Sequence, residues 1–192
     1  MTGGLPDRAT LLDDDEAEEL IPEHVTTSGE LNEWEQSNIL QAEAWLLGQS
    51  PDVLTEDCVR LLHRRMFDRT WRWAGEFRRS NKNIGADWPT IPLALRELLA
   101  DVRHWLDHGT YGAREAAVRF HHRLVKIHCF TNGNGRHARL CADALLVGLG
   151  VARLEWGAGL DNPSDARTQY IAALRAADQG DYAPLLAFAR LR

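Results

Sequence analysis

The chain has 192 residues, 44% of them hydrophobic, with seven tryptophans, a formal net charge of −6 and an isoelectric point near 5.7. That length suits one domain with a sizeable core, and the apolar content excludes a disordered chain. The acidic balance excludes a general nucleic-acid or membrane-surface binder, although one basic pocket needs only a few arginines. Cys58, Cys129 and Cys141 are odd in number and form no CxxC pair, which argues for a reducing compartment and against a disulfide framework. No apolar run nears the roughly 18 residues of a membrane span, and the acidic start lacks a signal layout. The expectation is a soluble, cytoplasmic protein.

Residues 1–25, with Gly3, Gly4, Pro6, the run Asp13 to Asp15 and Pro22, read as an acidic, partly mobile lead-in to a domain over 26–192. From Asn32 the spacing turns helical through Trp34, Asn38, Trp45 and Leu46, with Gly48 as a stop. A second helix starts after Thr55-Glu56-Asp57 and reaches about Phe67. Residues 76–91 read as a short hairpin or extended flap. Helical spacing resumes over Leu93 to Leu106, again from Ala113 to Ile127, and again from Arg136 to Leu149. Asn162-Pro163-Ser164 starts a further helix, and a short one follows Gly180-Asp181. The predicted fold class is all-α, a bundle of six to eight helices with a small β-hairpin flap.

The stretch that carries chemistry is His128-Cys129-Phe130-Thr131-Asn132-Gly133-Asn134-Gly135-Arg136-His137-Ala138-Arg139, between two apolar helices. Gly-Asn-Gly permits backbone angles that turn successive N–H groups the same way, forming a concavity for an anion. The open N–H groups and positive dipole end of the following helix add to it. Arg136 and Arg139 share one face of the first turn, where two cations oppose the macrodipole unless an anion sits beside them. At the other lip, a neutral His128 can take a proton from an incoming hydroxyl. Base, amide cradle and paired arginines together predict phosphoryl or nucleotidyl transfer.

This stretch resembles the signature of the Fic family: His, any residue, Phe, any residue, Asp or Glu, Gly-Asn-Gly-Arg, two residues, Arg. His128, Phe130, Gly133, Asn134, Gly135, Arg136 and Arg139 match, while Asn132 stands at the acidic position. Trp73-Ala74-Gly75-Glu76-Phe77-Arg78 resembles the family's lead into its flap, and Asp178-Gln179-Gly180-Asp181-Tyr182 its C-terminal helices. The runs Glu30 to Gln36 and Asn81 to Gly85 look closest to the subgroup called mobile mystery protein B, found with mobile elements.

The resemblance implies a protein adenylyltransferase that moves AMP from ATP onto a Ser, Thr or Tyr hydroxyl of an unknown target protein. By similarity, His128 is the general base, Phe130 a structural anchor, and Gly133, Asn134, Gly135, Arg136 and Arg139 the phosphate binders. A target-binding flap is implied for Phe77, Arg78, Ser80, Asn81, Lys82, Asn83, Ile84, Gly85 and Trp88, adding a strand to the target. Mg²⁺ is the implied cation, but Asn132 lacks the charge that anchors it. The family's inhibitory glutamate motif fails here: Thr26 to Glu30 has the spacing but Leu31 follows, and Glu35 is also out of pattern. The expectation is therefore a separate inhibitory partner, resembling mobile mystery protein A, that supplies a glutamate to Arg139 and makes this chain the toxin-like half of a two-protein module. No direct nucleic-acid or membrane partner is expected.

Other readings compete. Gly133 to Ala138 also fits a dinucleotide fingerprint, but the segment before it has helical, not strand, spacing. His121 and His122 read as packing residues, not metal ligands, and His63 as structural. With Asn132 in place of a carboxylate, a nucleotide-binding regulatory module without turnover, or a Fic-fold phosphotransferase, remains the alternative function.

Overall fold

The protein is described here from a computed structural model, which covers residues 18–157, 160 and 164–191. The acidic run Asp13 to Asp15 and the Asn162-Pro163 helix start lie outside these residues. The described helices are α1 (Ser28–Gln49), α2 (Glu56–Phe67), α3 (Ile91–Asp107), α4 (Ala113–Ile127), α5 (Asn134–Gly148), α6 (Asp165–Asp178) and α7 (Ala183–Phe188). A 3₁₀ turn, Trp88–Thr90, leads into α3. Thr27 and Glu30 close a capping box on α1, and the Thr55 and Ser164 side chains accept the N–H groups that open α2 and α6. No helix among the described residues is long and apolar enough to cross a membrane.

Helix α5 is the hub. Its residues Asn134, His137, Ala138, Leu140, Cys141, Ala142, Asp143, Leu145 and Leu146 are buried around nearly the whole circumference, and α4, α1 and α2 pack against it. A helix covered on every side has little freedom to rotate or slide, so whatever its N-terminus presents is fixed in place. The remaining amphipathic helices complete the core with Leu62, Met66, Phe67, Leu95, Leu98 and Phe120.

One expectation is corrected. The hairpin over 76–91 does not form. Among the described residues the strands are β1 (Leu154–Glu155) and β2 (Arg190–Leu191), paired antiparallel, plus a lone bridge between Leu20 and Trp71. The flap's polar groups bond elsewhere: Arg78 and Ala86 N–H groups donate to the Cys129 and Ile127 carbonyls (3.0 and 3.1 Å), and the Asn81 side chain holds Asp87 and the Trp88 N–H. With those donors spent, no cross-strand ladder is left to close. The lead-in is described only from residue 18. Its described portion is docked: Leu20 and Val25 are buried, and Ile21 and Glu19 exchange backbone hydrogen bonds with Thr70 and Arg72.

Behind α5, Asp143 fastens the return of the chain. Its carboxylate, 3% exposed, accepts from the Leu154 N–H, Trp156 Nε1 and Arg153 at 3.1 to 3.3 Å, and Arg153 also pairs with Glu43 of α1. Removing one member of such a buried set leaves the others unpaired. Asp143→Ala is expected to cost about 3 kcal/mol, a fall of roughly 6–12 °C in Tm. Thermal unfolding followed by circular dichroism checks this; a loss below about 1 kcal/mol would mean that water replaces the carboxylate.

Candidate active site

The loop from His128 to Gly133 is bound to α5, to α2 and to the flap. Asn134 clasps it: its Oδ1 accepts the Phe130 N–H at 2.9 Å and its Nδ2 donates to the Phe130 carbonyl at 2.8 Å. The Phe130 ring is fully buried and stacks on His63 with centroids 3.7 Å apart. His63 in turn bridges two segments. Its Nδ1 accepts the Gly75 N–H at 3.0 Å, which leaves Nε2–H to donate to the Asn132 carbonyl at 3.1 Å. Burial holds this imidazole neutral, its pKa well below the ordinary range. From sequence His63 reads only as structural; its bond to Asn132, 69 residues away, is visible only in three dimensions.

Gly133 caps α5 with φ +75°, and the first bond of that helix is from His137 N–H to the Gly133 carbonyl. The N–H groups of Asn134, Gly135 and Arg136 therefore precede the helical ladder and point out of its N-terminus. They form a concavity of amide N–H groups, in which the Asn134 side chain is spent on the clasp and only its backbone N–H is open.

Residues from α1, the flap, the loop, α5 and α6 enclose a cavity of about 370 Å³ over that concavity, lined by Glu35, Ile84, His128, Gly133 to Arg136, Arg139, Arg167 and Tyr170 among others. His128 ends α4 in the left-handed region (φ 56°, ψ 60°) and is half-buried. Its Nδ1 is buried and has no hydrogen-bond partner among the described residues. Desolvation, then the nearby Arg78 charge and Lys82, lower its pKa below 6.5, against a smaller opposing pull from the Val125 backbone. It is therefore neutral at physiological pH, as a proton acceptor must be. Arg139 lines the cavity with its guanidinium 6.0 Å from the Tyr170 ring centroid.

Arg136 has an unforeseen companion. Its Nη1 lies 2.6 Å from Oε2 of Glu35 on α1, whose Oε1 accepts Trp71 Nε1 at 2.6 Å. The Glu35 side chain is 3% and the Arg136 side chain 17% exposed, so this is a buried charge pair on the wall of that cavity. A glutamate from within the chain thus occupies one of the two arginines, although the glutamate motif fails in sequence. Glu35 and Arg136 are 101 residues apart, and no local pattern announces their meeting.

The flap residues divide. Ser80, Asn81, Lys82, Asn83, Ile84, Gly85 and Trp88 are exposed and Phe77 is partly so, while Arg78 is buried. On the flap's other side, Phe77, Arg79, Lys82, Trp73, Thr131 and Asn132 help line a second cavity of about 660 Å³ that reaches the same loop. His121 and His122 pack in the interior against Tyr170 and Tyr182, bonded to their hydroxyls at 2.9 Å.

The residues present do not fit a tight Mg²⁺ seat. Among the described residues no group of three or more His, Cys, Asp or Glu side chains gathers around a common point. The Asn132 Oδ1, neutral to begin with, already accepts the Gly133 N–H at 2.6 Å.

Residues 53–146 match the Fic/DOC family. The chain is 30% identical over 147 residues to protein adenylyltransferase fic-1 of Caenorhabditis elegans, covering 74% of this chain and 28% of the relative. It is 32% identical over 147 residues to protein adenylyltransferase Fic of Drosophila grimshawi, with 74% and 29% covered. The chain thus spans under a third of the length of these curated relatives. A Fic domain-containing signaling protein from Bacteroides thetaiotaomicron shares the fold with a TM-score of 0.68 at 21% identity, covering 80% of this chain and 66% of the other. BepC from Bartonella tribocorum, solved with bound AMPPNP, does so at 0.67 and 17% identity, covering 88% and 91%.

Two outcomes follow from the loop. A Cβ at position 133 would lie 2.5 Å from Phe67 Cε2 in a backbone conformation that disfavours it, so Gly133→Ala is expected to destabilise the fold by about 1–3 kcal/mol, measured by urea unfolding; an unchanged midpoint would show a loop free to move. Asn132→Asp is expected to tighten Mg²⁺ binding in the presence of ADP by about tenfold or more, read by calorimetry, and equal affinities would place the cation on other donors.

Proposed function

Because the chain belongs to the Fic/DOC family through residues 53–146, we propose that it is a protein adenylyltransferase whose site lies between α1, the flap and the N-terminus of α5. The observation that carries this reading is the joint position of a neutral half-buried His128 and an amide concavity on one cavity. A nucleotide's phosphates would lie over the amides of Gly133 to Arg136, with Arg139 alongside. The target's hydroxyl would enter along the flap from the side of Phe77 and Lys82. His128 takes the hydroxyl proton, the oxygen bonds to the α-phosphorus, and the bond to the bridging oxygen breaks to release diphosphate. Preorganised amides and guanidinium groups stabilise the charge that spreads over the phosphoryl oxygens. No step is assigned to Mg²⁺.

Glu35 sets the availability of the seat in this reading. Arg136 reaches a phosphate only by exchanging its carboxylate partner for phosphate oxygens, so the ion pair subtracts from nucleotide affinity. A separate inhibitory partner, if it adds a carboxylate at Arg139, would act on the same pair of arginines. That partner, a toxin-like role and the mobile-element subgroup rest on the runs Glu30 to Gln36 and Asn81 to Gly85. The three cysteines are free and buried, which accords with the cytoplasm expected for the chain. The second reading, a nucleotide-binding module, is favoured by Asn132 alone, whereas a base on the cavity has no purpose in simple binding.

Incubation with ATP labelled in its α-phosphate, a cell lysate and Mg²⁺ or Mn²⁺ tests the reading. Label should pass to protein with the parent chain and fall by at least about a hundredfold with His128→Ala; equal transfer would remove His128 from the chemistry, and nucleotide binding without transfer would favour the module. Because His128 loses its acceptor function only when protonated, the acid limb of kcat/KM should have its midpoint below pH 6.5. Glu35→Gln keeps an acceptor for Trp71 and removes the charge, so ADP affinity should rise by about tenfold, checked by calorimetry; an unchanged affinity would mean that the pair does not compete with phosphate.

A further inference from the structure

We infer that Arg78 is a positioning residue for His128, a role that rests on the transferase reading above. It fixes the base and the target-bearing flap to each other as one unit. The sequence resemblance put Arg78 among residues that touch the target; the geometry gives it another task. Its guanidinium is buried, 3% exposed, and no carboxylate pairs with it among the described residues. Its donors go to backbone carbonyls from two segments: Nε to His128 at 2.6 Å and Nη2 to Ile127 at 3.4 Å at the end of α4, Nη1 to Ser80 at 2.7 Å and Nη2 to Ala86 at 2.5 Å in the flap.

A buried cation without a counter-charge is costly unless fixed dipoles replace its water. The end of α4 supplies them. Its last carbonyls have no helical partner and carry the negative end of the macrodipole, and Arg78 donates to that of Ile127, shared with the Ala86 N–H, and to that of the cap residue His128. The same grip explains how His128 keeps a left-handed backbone (φ 56°) that a side chain resists. Backbone bonds reinforce it: the Arg78 N–H donates to Cys129 and the Ala86 N–H to Ile127. Gly85, at φ +104°, closes the contact from above, since a Cβ there would lie 2.7 Å from both Arg78 Nη2 and His128 Cβ.

The consequence is mechanical. The flap cannot shift along the loop without moving the backbone that carries the base. A target strand laid on residues 77–88 therefore meets His128 at a set register. Only a planar fork reaches four carbonyls at once; a lysine ammonium keeps the charge but not the grip.

Nuclear magnetic resonance and kinetics on the intact chain test this with Arg78→Lys and Arg78→Gln, using His128→Ala to assign the His128 signals. In Arg78→Lys the His128 Cα and Cβ shifts should lose their left-handed signature while ADP binding stays at the parent level. In Arg78→Gln the His128 ring should also titrate at higher pH, because a cation that disfavoured the imidazolium is gone. The other charged groups facing His128, namely Lys82 on the flap, Arg136 and Arg139 on α5, Arg167 on α6 and Glu35 on α1, are the same in all three chains, which assigns the shift to Arg78. Both variants should lower kcat for label transfer by about tenfold to a hundredfold. Parent-like His128 shifts in Arg78→Lys would overturn the proposal, as would losses of ADP binding and transfer in equal proportion, which mark general unfolding. Should the parent chain transfer no label, the transferase reading fails while the His128 shifts still decide the role of Arg78.

Discussion

Asn134 and His63 hold the loop between α4 and α5 in one shape, and every other feature of the site presupposes that shape. An amide concavity binds an anion well only if its N–H groups already converge before the anion arrives; otherwise binding must also order the backbone. Here the ordering is done by the fold. The Asn134 clasp closes the loop on Phe130, His63 ties it to the pre-flap turn at Gly75, and Phe67 leaves no room beside Gly133. Because α5 is buried on nearly every side, the helix that completes the concavity cannot drift from it.

Charge is handled with similar economy. Arg136 and Arg139 stand at the positive end of a helix, a placement that the macrodipole resists. Glu35 relieves part of that repulsion through its 2.6 Å contact with Arg136, and Trp71 orients the carboxylate. In the proposed reading, the same carboxylate that makes the arginine tolerable in the folded chain is the one a phosphate would displace. Stability and readiness are therefore opposed at a single side chain, and α1 carries both.

The helices were legible because their apolar residues recur at helical spacing, and α1, α2 and α6 also open on Thr27, Thr55 and Ser164 caps. The meeting of His128, Gly133 to Arg136 and Arg139 on one cavity was legible for a different reason: they lie within twelve residues, so local geometry sufficed. What the sequence hid is long-range. Glu35 meets Arg136 across 101 residues, and His63 meets Asn132 across 69. The flap was misread as a hairpin because its Gly, Asn and Ser composition suits a turn. The competing acceptors at the end of α4, which take its N–H groups instead, are not encoded nearby. Arg78 was misassigned for the same reason, since an arginine in a polar stretch gives no sign that it is buried.

A crystal structure with a non-hydrolysable ATP analogue tests the central claim, that the concavity exists before the nucleotide does. Phosphate oxygens should lie about 3 Å from the backbone nitrogens of Gly135 and Arg136, with both Asn134–Phe130 hydrogen bonds intact and the loop backbone unmoved. Phosphates bound away from these amides, or a loop that gives up the Asn134 clasp to receive them, would contradict it.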